Sequence, residues 1–473
     1  MVVGQIEDAV DFLVVGAGPG GYVAALRASQ LGREVTLIDR DGAEGVGGVC
    51  LRVGCIPSKA LIEVADLAHR AREAKAFGLE ASFGAFDMAR FRAWKGEVVT
   101  GLTDGVRALL KAAKVTVAAG EFRLTGPDSG VLTPAEGQPR FIRFASLVLA
   151  TGSRPLALDA LPVDGATVLD STAALDLAEV PKTLAVIGAG YIGLEIGTAM
   201  AKLGAKVTLI EAEARILPSL DARLAHPVAR RLKALGVAVM CGARATGLAR
   251  GRLTVGRGDG ETKIAAERVI VAVGRTPNTD DIGLEAAGLK TGAHGLLEVA
   301  PDRRIADHIA AIGDITPGPA LAHKAMAEAQ VAAEALSGGR TAFSPQAVPA
   351  VVFSDPEVAT VGLTENAARA EGIEVACATF PVTASGRART LAAREGFLQI
   401  VADKADGRVL GVHVTAPHAS ELIAEAALAI EMGATVADLA LTIHPHPTMS
   451  ELAMEAAHVG IGQPIHISVL AKR

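Results

Sequence analysis

The chain has 473 residues, which is too many for one hydrophobic core and predicts about three domains. Half of the residues are hydrophobic and only 3% are aromatic, a profile typical of α/β proteins rich in small packing residues. The net charge of −6 and the lack of a Lys/Arg block argue against nucleic acid as a partner, and the apolar runs are shorter than the roughly 18–20 residues of a membrane span. Acidic residues near the start argue against a targeting peptide, so we expect a cytoplasmic protein.

The first recognisable pattern, at residues 11–39, is a short apolar strand, a glycine turn, a helical stretch and a second apolar strand. Its turn carries Gly16, Gly18 and Gly21, and its second strand ends at Asp39. In such a turn the first glycine allows the tight bend, the second admits a pyrophosphate and the third packs the helix on the strand. The acid accepts hydrogen bonds from an adenosine ribose. This pattern predicts a dinucleotide site, although a lone glycine turn can also be purely structural.

Cysteines follow the first pattern. Cys50 and Cys55 are five residues apart, which on a regular helix separates their Cα atoms by about 8–9 Å. A disulfide tolerates about 7 Å, so a bridge between them requires a break in the helix, which Gly54 favours. So short a loop gains little stability from a bridge, which favours a redox role over a structural one. Zinc binding and unpaired core thiols remain the alternatives, while the isolated Cys241 and Cys377 are predicted to be buried.

The strand–turn–helix–strand pattern recurs without a gap 172 positions later (188 − 16). The counterparts of its glycines and acid are Gly188, Gly190, Gly193 and Glu211. Two copies in the same context predict two dinucleotide sites. A carboxylate at position 211 favours NAD, because it would repel the additional phosphate of NADP.

Gly/Pro-rich polar stretches at 125–140 and 250–263 predict hairpins. After residue 345 the sequence changes to short Val-rich strands followed by Ala-rich helices near 420–432 and 449–458. This change predicts a separate C-terminal domain.

The segment Gly47-Gly48-Val49-Cys50-Leu51-Arg52-Val53-Gly54-Cys55-Ile56-Pro57-Ser58-Lys59 resembles the redox-active motif of the pyridine nucleotide–disulfide oxidoreductases. The resemblance covers nearly the whole chain and is greatest to the members that oxidise dihydrolipoamide. The other motifs that carry it are Ala150-Thr151-Gly152, Val273-Gly274-Arg275-Thr276-Pro277-Asn278, Ile312-Gly313-Asp314, Leu321-Ala322-His323-Lys324-Ala325, Asp355-Pro356-Glu357-Val358-Ala359 and His444-Pro445-His446-Pro447-Thr448-Met449-Ser450-Glu451.

The resemblance implies an α/β fold with two Rossmann-like dinucleotide-binding domains, for FAD and NAD, and a C-terminal α+β dimerisation domain. The implied domains are 1–152 for FAD, 153–277 for NAD, 278–345 for a central domain that completes the FAD site, and 346–473 for dimerisation. It also implies a homodimer that acts with the lipoyl domain and the acyltransferase core of a 2-oxo acid dehydrogenase complex.

The resemblance also implies a role for each reacting group. Cys50 would be the outer thiol, which exchanges with substrate, and Cys55 the inner thiol, in charge-transfer contact with the flavin. Lys59 would lie by the flavin and pair with Glu195.

An acid–base pair and the cofactor ligands complete the implied site. His446 and Glu451 of the other subunit would form that pair, whereas His444 is predicted to be structural; no metal is predicted. The predicted FAD ligands are Gly16, Gly18, Gly21, Asp39, Arg40, Gly48, Lys59, Thr151, Gly152, Gly313, Asp314 (to the ribitol chain), Leu321, Ala322 and His323. The predicted NAD ligands are Gly188, Gly190, Tyr191, Ile192, Gly193, Glu195, Glu211, Val273 and Gly274.

Three positions depart from the family pattern: Val49 replaces threonine, Arg52 replaces asparagine and Asp39 replaces the commoner glutamate. None of these removes a reacting group, so we expect them to tune redox potential or flavin affinity. The alternatives are another disulfide reductase of the family, acting on a different small disulfide, and a flavin-bearing scaffold whose main role is docking. An NADP-dependent glutathione reductase would carry arginines near position 211, and a mercuric or large thioredoxin reductase an additional cysteine pair near its C-terminus.

Overall fold

A computed structural model describes residues 7–80 and 84–468 of the chain. The extreme ends of the first and last predicted domains, 1–6 and 469–473, lie outside this range. The helices are α1 Pro19–Gln30, α2 Gly48–Val53, α3 Cys55–Arg72, α4 Met88–Ala112, α5 Ser171–Ala174, α6 Tyr191–Lys202, α7 Ala222–Ala234, α8 Ala322–Leu336, α9 Glu365–Ala370, α10 Gly386–Thr390, α11 Ala419–Glu431, α12 Val436–Leu441 and α13 Glu451–Gly460.

The strands belong to three large sheets and two small ones. In chain order they are β1 Glu7–Val15, β2 Val35–Asp39, β3 Thr116–Ala119, β4 Glu121–Leu124, β5 Ser129–Thr133, β6 Arg140–Leu149, β7 Ser153–Pro155, β8 Val168–Leu169, β9 Thr183–Ile187, β10 Lys206–Glu211, β11 Ala238–Cys241, β12 Arg244–Ala249, β13 Arg252–Arg257, β14 Gly260–Ala265, β15 Arg268–Val271, β16 Arg275–Pro277, β17 Arg304–Ala306, β18 Ile309–Ala311, β19 Ala350–Val352, β20 Glu357–Gly362, β21 Val375–Pro381, β22 Phe397–Asp403 and β23 Val409–Ala416.

The first sheet has the order β17-β18-β6-β1-β2-β3, and its central strands are parallel. Strands β4, β5 and β6 form antiparallel pairs, which confirms the hairpin predicted at 125–140. Helices α1 and α8 pack together through small buried residues such as Ala24, Ala28, Ala329 and Ala332. Two strands and a helix of the segment predicted as a central domain therefore complete the first sheet and its helical layer.

The second sheet is parallel, with the order β11-β10-β9-β15-β8, and α6 packs against it. Beside it, β12, β13 and β14 form an antiparallel sheet, as predicted from the stretch 250–263. The two parallel sheets share the same strand–turn–helix–strand unit, β1-α1-β2 in one and β9-α6-β10 in the other. The predicted α/β class with two Rossmann-like units is confirmed.

The C-terminal sheet is antiparallel, with the order β19-β20-β23-β22-β21, and α11 and α13 pack against it. The two Ala-rich helices are present as predicted. The prediction that Cys377 is buried is wrong, because its side chain points outward from the edge strand β21. Cys241, at the end of β11, is only partly buried.

Within the described ranges, no helix is long and apolar enough to cross a membrane. The same residues bring together no group of His, Cys, Asp and Glu side chains that could hold a metal ion.

The glycine turns owe their shape to close backbone contacts. In the second turn, Gly188 has φ +97°, and a Cβ there would lie 2.3 Å from the carbonyl oxygen of Ala272. A Cβ at Gly193 would lie 2.0 Å from the carbonyl oxygen of Gly188, whereas nothing lies within 4 Å of a Cβ at Gly190. The first turn repeats this arrangement. The outer glycines are thus required by the fold, while the middle one faces open space.

Gly193→Ala should therefore destabilise the protein, since α6 must move away from the turn to admit the methyl group. Overpacking of this kind costs about 1–3 kcal/mol. Gly190→Ala is the matched control and should change the free energy of unfolding by less than about 1 kcal/mol. Urea unfolding measured without NAD tests both variants, and equal stabilities would contradict the close-contact explanation.

Candidate active site

Gly54 separates the two cysteines into different helices. Cys50 lies in α2, Cys55 begins α3, and Gly54 between them has φ −134° and ψ −100°, which interrupts the helical hydrogen bonding. A Cβ at Gly54 would lie 2.9 Å from the carbonyl oxygen of Val49. The departure from regular helix that a redox pair requires is therefore confirmed. Both cysteines are free thiols in this structure.

The two thiols have very different acidities. A hydrogen bond from the Cys50 thiol is the main reason that the pKa of Cys55 falls to about 7, and the Lys59 ammonium also lowers it, against the effect of burial. The same hydrogen bond, together with burial, raises the pKa of Cys50 far above its usual value. As the pH rises through neutrality, Cys55 is therefore the first of the two to lose its proton, while Cys50 keeps its own.

A buried ion pair lies one helical turn beyond Cys55. Lys59 Nζ is 2.8 Å from Oε2 of Glu195, whose side chain is only 4% exposed. Oε1 of Glu195 accepts a hydrogen bond from the backbone N–H of Phe353, at 3.0 Å, and Lys59 Nζ lies 4.3 Å from the centre of the Phe353 ring. The ion pair therefore joins α3, α6 and the C-terminal segment at one point. Phe353 was missed by sequence reasoning, although it lies two residues before the Asp355-Pro356 motif.

The cysteine segment is held against the first glycine turn. The backbone N–H of Gly47 donates to the carbonyl oxygen of Ala17, at 2.9 Å. A Cβ at Gly48, where φ is +57°, would lie 2.6 Å from the Cα of Gly18. The segment that leads to the redox pair therefore starts beside the N-terminus of α1, which is where a dinucleotide pyrophosphate binds in units of this kind.

The first turn fits a dinucleotide. Nothing in the protein lies within 4 Å of a Cβ at Gly18, so there is room for a phosphate beside the free N–H groups of α1. Asp39 accepts hydrogen bonds from the backbone N–H groups of Ala17, at 2.8 Å, and Asp41, at 3.1 Å. Each carboxylate oxygen keeps a lone pair for a ribose hydroxyl.

The second turn has the same chemistry. Glu211 accepts from the backbone N–H groups of Ala189, at 2.7 Å, and Glu213, at 2.9 Å. Gly190 leaves open space at the N-terminus of α6. The residues present therefore fit a second dinucleotide, with a carboxylate at its ribose end.

A chain of hydrogen bonds links the two nucleotide units at Asp314, the predicted ribitol ligand. The hydroxyl of Ser153 donates to Oδ2 of Asp314, at 2.5 Å, and accepts from Nε of Arg275, at 2.7 Å. The backbone N–H of Gly313 donates to the buried Glu328, at 2.7 Å, which fixes the turn that carries Asp314. Sequence reasoning missed Ser153, although the residue follows the quoted Ala150-Thr151-Gly152 motif.

Tyr191, the first residue of α6, is partly exposed at 43% and lies near charged groups of both nucleotide units. Burial raises the pKa of its phenol, the nearby Arg275 guanidinium lowers it, and the carboxylates of Asp314 and Glu195 add to the rise. Its predicted neighbours in the NAD site follow it on α6 or lie on the loop after β15; they are Ile192, Val273 and Gly274.

The remaining predicted FAD ligands lie in loops or at the start of a helix. The hydroxyl of Thr151 donates to the carbonyl oxygen of Asn278, at 2.7 Å, and Gly152 follows with φ +69°. Leu321, Ala322 and His323 begin α8. Arg40 instead pairs with Glu121, at 3.1 Å, and both side chains are mostly exposed.

The predicted acid–base pair is formed within one chain. Nδ1 of His446 lies 2.8 Å from Oε1 of Glu451, and the His446 side chain is 78% exposed. Burial by itself raises the pKa of Glu451, but hydrogen bonds from His446 and from the Thr448 backbone outweigh it, so the net pKa is lowered. Among the described residues of a single chain, His446 has no hydrogen bond to Cys50 or Cys55.

His444 has the features expected of a structural residue. Its side chain is only 4% exposed. One ring nitrogen contacts Glu425, at 2.8 Å, and the other contacts the carbonyl oxygen of Thr442, at 2.9 Å. Both ring nitrogens of His444 thus have partners, whereas for the exposed His446 the described residues supply a partner at Nδ1 alone.

The acidity of Cys55 can be measured directly. Alkylation of Cys55 in the reduced protein, assigned by peptide mass spectrometry, should have a midpoint near pH 7 and slow at lower pH, because the thiolate is the reactive form. Lys59→Met should raise that midpoint by about one unit, since a nearby cation stabilises the thiolate. Lys59→Arg keeps the charge and should change it less. An unchanged midpoint in Lys59→Met would contradict the electrostatic role of Lys59.

Comparison with known proteins agrees with this geometry. The model of the pyridine nucleotide-disulphide oxidoreductases matches residues 10–329, and the model of their dimerisation domain matches residues 348–457. Among curated proteins, the dihydrolipoyl dehydrogenase of Geobacillus stearothermophilus is 48% identical over 99% of both chains. That of Bacillus subtilis is 44% identical over 99% of this chain and 100% of its own.

Solved structures show the same architecture. LpdA from Mycobacterium tuberculosis superposes with a TM-score of 0.87 at 30% identity, over 95% of this chain and 99% of that one. The HOCl-induced flavoprotein disulfide reductase RclA from Escherichia coli superposes with a TM-score of 0.82 at 27% identity, over 94% and 98% of the two chains. With two glycine turns, a paired dithiol and family models that match most of its length, the chain belongs to the pyridine nucleotide–disulphide oxidoreductases.

Proposed function

We propose that this protein oxidises protein-bound dihydrolipoamide to lipoamide, through a redox-active Cys50–Cys55 disulfide and FAD, with NAD as the final acceptor. The observation that carries the proposal is the polarised dithiol, with one thiolate on Cys55 beside the Lys59–Glu195 pair. Relatives named dihydrolipoyl dehydrogenase, which match this chain from end to end, support the choice of substrate.

The acidities of the two thiols give each a place in the exchange. One thiolate of the substrate attacks Cys50 of the oxidised pair, which forms a mixed disulfide and releases Cys55 as a thiolate. Leaving groups of low pKa depart faster. Cys50 has no proton to donate in this state, so the effect that favours release of Cys55 is that of the Lys59 ammonium, which lowers the pKa of Cys55. The second substrate thiol then displaces Cys50, which takes up a proton and returns to the hydrogen-bonded state of the structure. FAD, which the first glycine turn and Asp39 would hold, would supply a two-electron acceptor for the dithiol, and NAD, which the second turn and Glu211 would hold, would supply the final hydride acceptor.

His446 is the proposed base for the substrate thiols. Glu451 orients the ring through the contact with Nδ1. This leaves Nε2, on an exposed side chain, available to take a proton. We assign the histidine to the site of the second subunit, as the family resemblance implies.

We infer that the protein is a homodimer. Its C-terminal domain matches the dimerisation domain of the family, and large apolar side chains near His446 are exposed, among them Leu441 at 80% and Ile443 at 94%. The proposed partners are the lipoyl domain and the acyltransferase core of a 2-oxo acid dehydrogenase complex. A cytoplasmic location stays a prediction from the sequence.

Reduction of NAD by free dihydrolipoamide is the direct test. A flavin-bearing scaffold would give a yellow protein without turnover. A reductase for another small disulfide would reduce that disulfide with NADH far more efficiently than lipoamide. Either result would overturn the proposed activity.

The cofactor preference should follow from Glu211. Catalytic efficiency with NAD should exceed that with NADP by a factor of about 100 or more, because the carboxylate would face a phosphate dianion. Glu211→Gln keeps the shape but removes the charge, so it should narrow the ratio. Comparable efficiencies with both cofactors in the native protein would mean that Glu211 does not contact the ribose.

Loss of the proposed base should separate two activities. His446→Gln should reduce turnover with dihydrolipoamide by about 100–10,000-fold, the usual contribution of a general base. Electron transfer from NADH to an artificial acceptor bypasses the dithiol exchange and should largely survive. Glu451→Gln should cause a smaller loss, because it leaves the histidine in place and disturbs only its orientation.

Mixed dimers test which subunit supplies the base. A dimer of one Cys50→Ser chain and one His446→Gln chain has one intact site if each site is shared between subunits. It should regain roughly half of the native activity. Verified mixed dimers without such recovery would show that cysteines and base come from the same chain.

A further inference from the structure

Helices α3 and α6 pack through polar faces that continue beyond the Lys59–Glu195 pair. On α6, Thr198 and Lys202 lie three and seven residues after Glu195, which places all three on one face. On α3, Asp66 lies seven residues after Lys59. A seam of polar side chains therefore runs along both helices, away from the thiols.

The far end of this seam is a cluster of charged side chains around the buried Lys202. The Lys202 side chain is only 4% exposed, and its Nζ lies 2.5 Å from Oδ1 of Asp66 and 2.6 Å from Oδ2 of Asp355. Nε of Arg231 also contacts Oδ2 of Asp355, at 2.8 Å. The cluster thus ties both nucleotide units to the C-terminal domain, next to the segment that carries Phe353. The proposed chemistry gives these residues no role.

A small cavity separates the cluster from the ion pair. Its volume is about 10 Å³, and its lining includes Ile62, Glu195, Thr198, Lys202, Ser354 and Asp355. The Thr198 side chain is buried, and its hydroxyl oxygen has no hydrogen-bond partner within the part of the chain that the structure describes. A buried polar group without a partner costs about 1–3 kcal/mol, so a hydrogen-bond partner for this hydroxyl would stabilise the fold.

We propose that this cavity holds one ordered water molecule, bound by the Thr198 hydroxyl, which links the Glu195 carboxylate to the Lys202 ammonium and so positions the Lys59–Glu195 pair. Thr198 and Lys202 are thereby positioning residues, since they act through Glu195. The inference deepens the proposed function. It rests on that function only for the role of Cys55, whose acidity the ion pair influences.

Size and hydrogen-bonding capacity both favour water. A buried water needs about 10–15 Å³ of such space and two to four polar partners, so the cavity admits a single molecule. The carboxylate of Glu195 has lone pairs left after its bonds to Lys59 and Phe353. An ammonium has three N–H donors, and the two carboxylates engage two of those of Lys202. The water can donate to Glu195 and accept from Lys202 or Thr198.

The water should affect the thiolate through charge. Glu195 raises the pKa of Cys55, whereas Lys59 lowers it. A hydrogen bond from the water would draw negative charge from the Glu195 carboxylate and so weaken its effect on Cys55. Loss of the water should therefore raise the pKa of Cys55. Tight packing alone would not produce this change, because the shape of the cavity is nearly the same with valine as with threonine.

The test compares Thr198→Val, which removes the hydroxyl at nearly constant volume, with Thr198→Ser, which keeps it. High-resolution crystal structures of the native holoenzyme and of Thr198→Ser should show the water, and that of Thr198→Val should not. The alkylation midpoint of Cys55 in Cys50→Ser backgrounds should rise by about 0.3–1 unit in Thr198→Val and stay at the control value in Thr198→Ser. Thr198→Ala, which also lacks the hydroxyl, serves if the valine variant does not fold.

Two results would overturn the proposal. One is a dry cavity in the native crystal, with the Thr198 hydroxyl turned to the carbonyl of its own helix. The other is a Thr198→Val midpoint equal to that of the control. Neither measurement involves turnover, so a protein inactive with dihydrolipoamide but with a filled cavity and a shifted midpoint would refute only the proposed function.

Discussion

The buried ion pair between Lys59 and Glu195 is the interaction on which the active-site geometry depends. Each partner belongs to a helix of a different nucleotide-binding unit. The carboxylate also accepts a hydrogen bond from the backbone N–H of Phe353, in the C-terminal domain. Lys59 is 33% exposed, but its loss would leave the Glu195 carboxylate, which is only 4% exposed, without an ionic partner, and an unpaired buried charge is strongly destabilising. Three parts of the fold are therefore held in register within one helical turn of the Cys55 thiolate. Any shift of α3 against α6 changes the charge that this sulfur experiences.

The two nucleotide units show how much of this arrangement is local. In each, a strand, a glycine turn and a helix follow one another in the chain, and the same contacts recur: the third glycine touches the first, and the acid at the end of the second strand bonds the turn. Because all of these contacts lie within about 25 residues of sequence, the pattern predicts them. The break at Gly54 was predictable for the same reason, since thiols five residues apart can meet only where the backbone departs from a regular helix.

What the sequence could not predict depends on contacts between distant segments. Phe353 and Lys202 acquire their roles from partners more than 130 residues away. Their own neighbours in sequence give no sign of this. The error at Cys377 is of the same kind, because the burial of a side chain on β21 depends on which distant segments cover it, and Cys377 is left exposed. Contacts between distant segments also explain why residues 304–336, which follow the second unit in sequence, complete the sheet of the first.

The fold around the dithiol gives its two sulfurs different acidities. In the reduced pair the two sulfurs are not equivalent, because the pKa of Cys55 is lowered and that of Cys50 is raised. The difference arises from position: Cys55 begins the helix that carries Lys59, whereas Cys50 lies beyond the break and donates the hydrogen bond. The hydrogen bond exists only while Cys50 keeps its proton, but the Lys59 ammonium lies beside Cys55 whether the pair is reduced or oxidised. The break at Gly54 and the cation one turn later therefore make the two sulfurs chemically different.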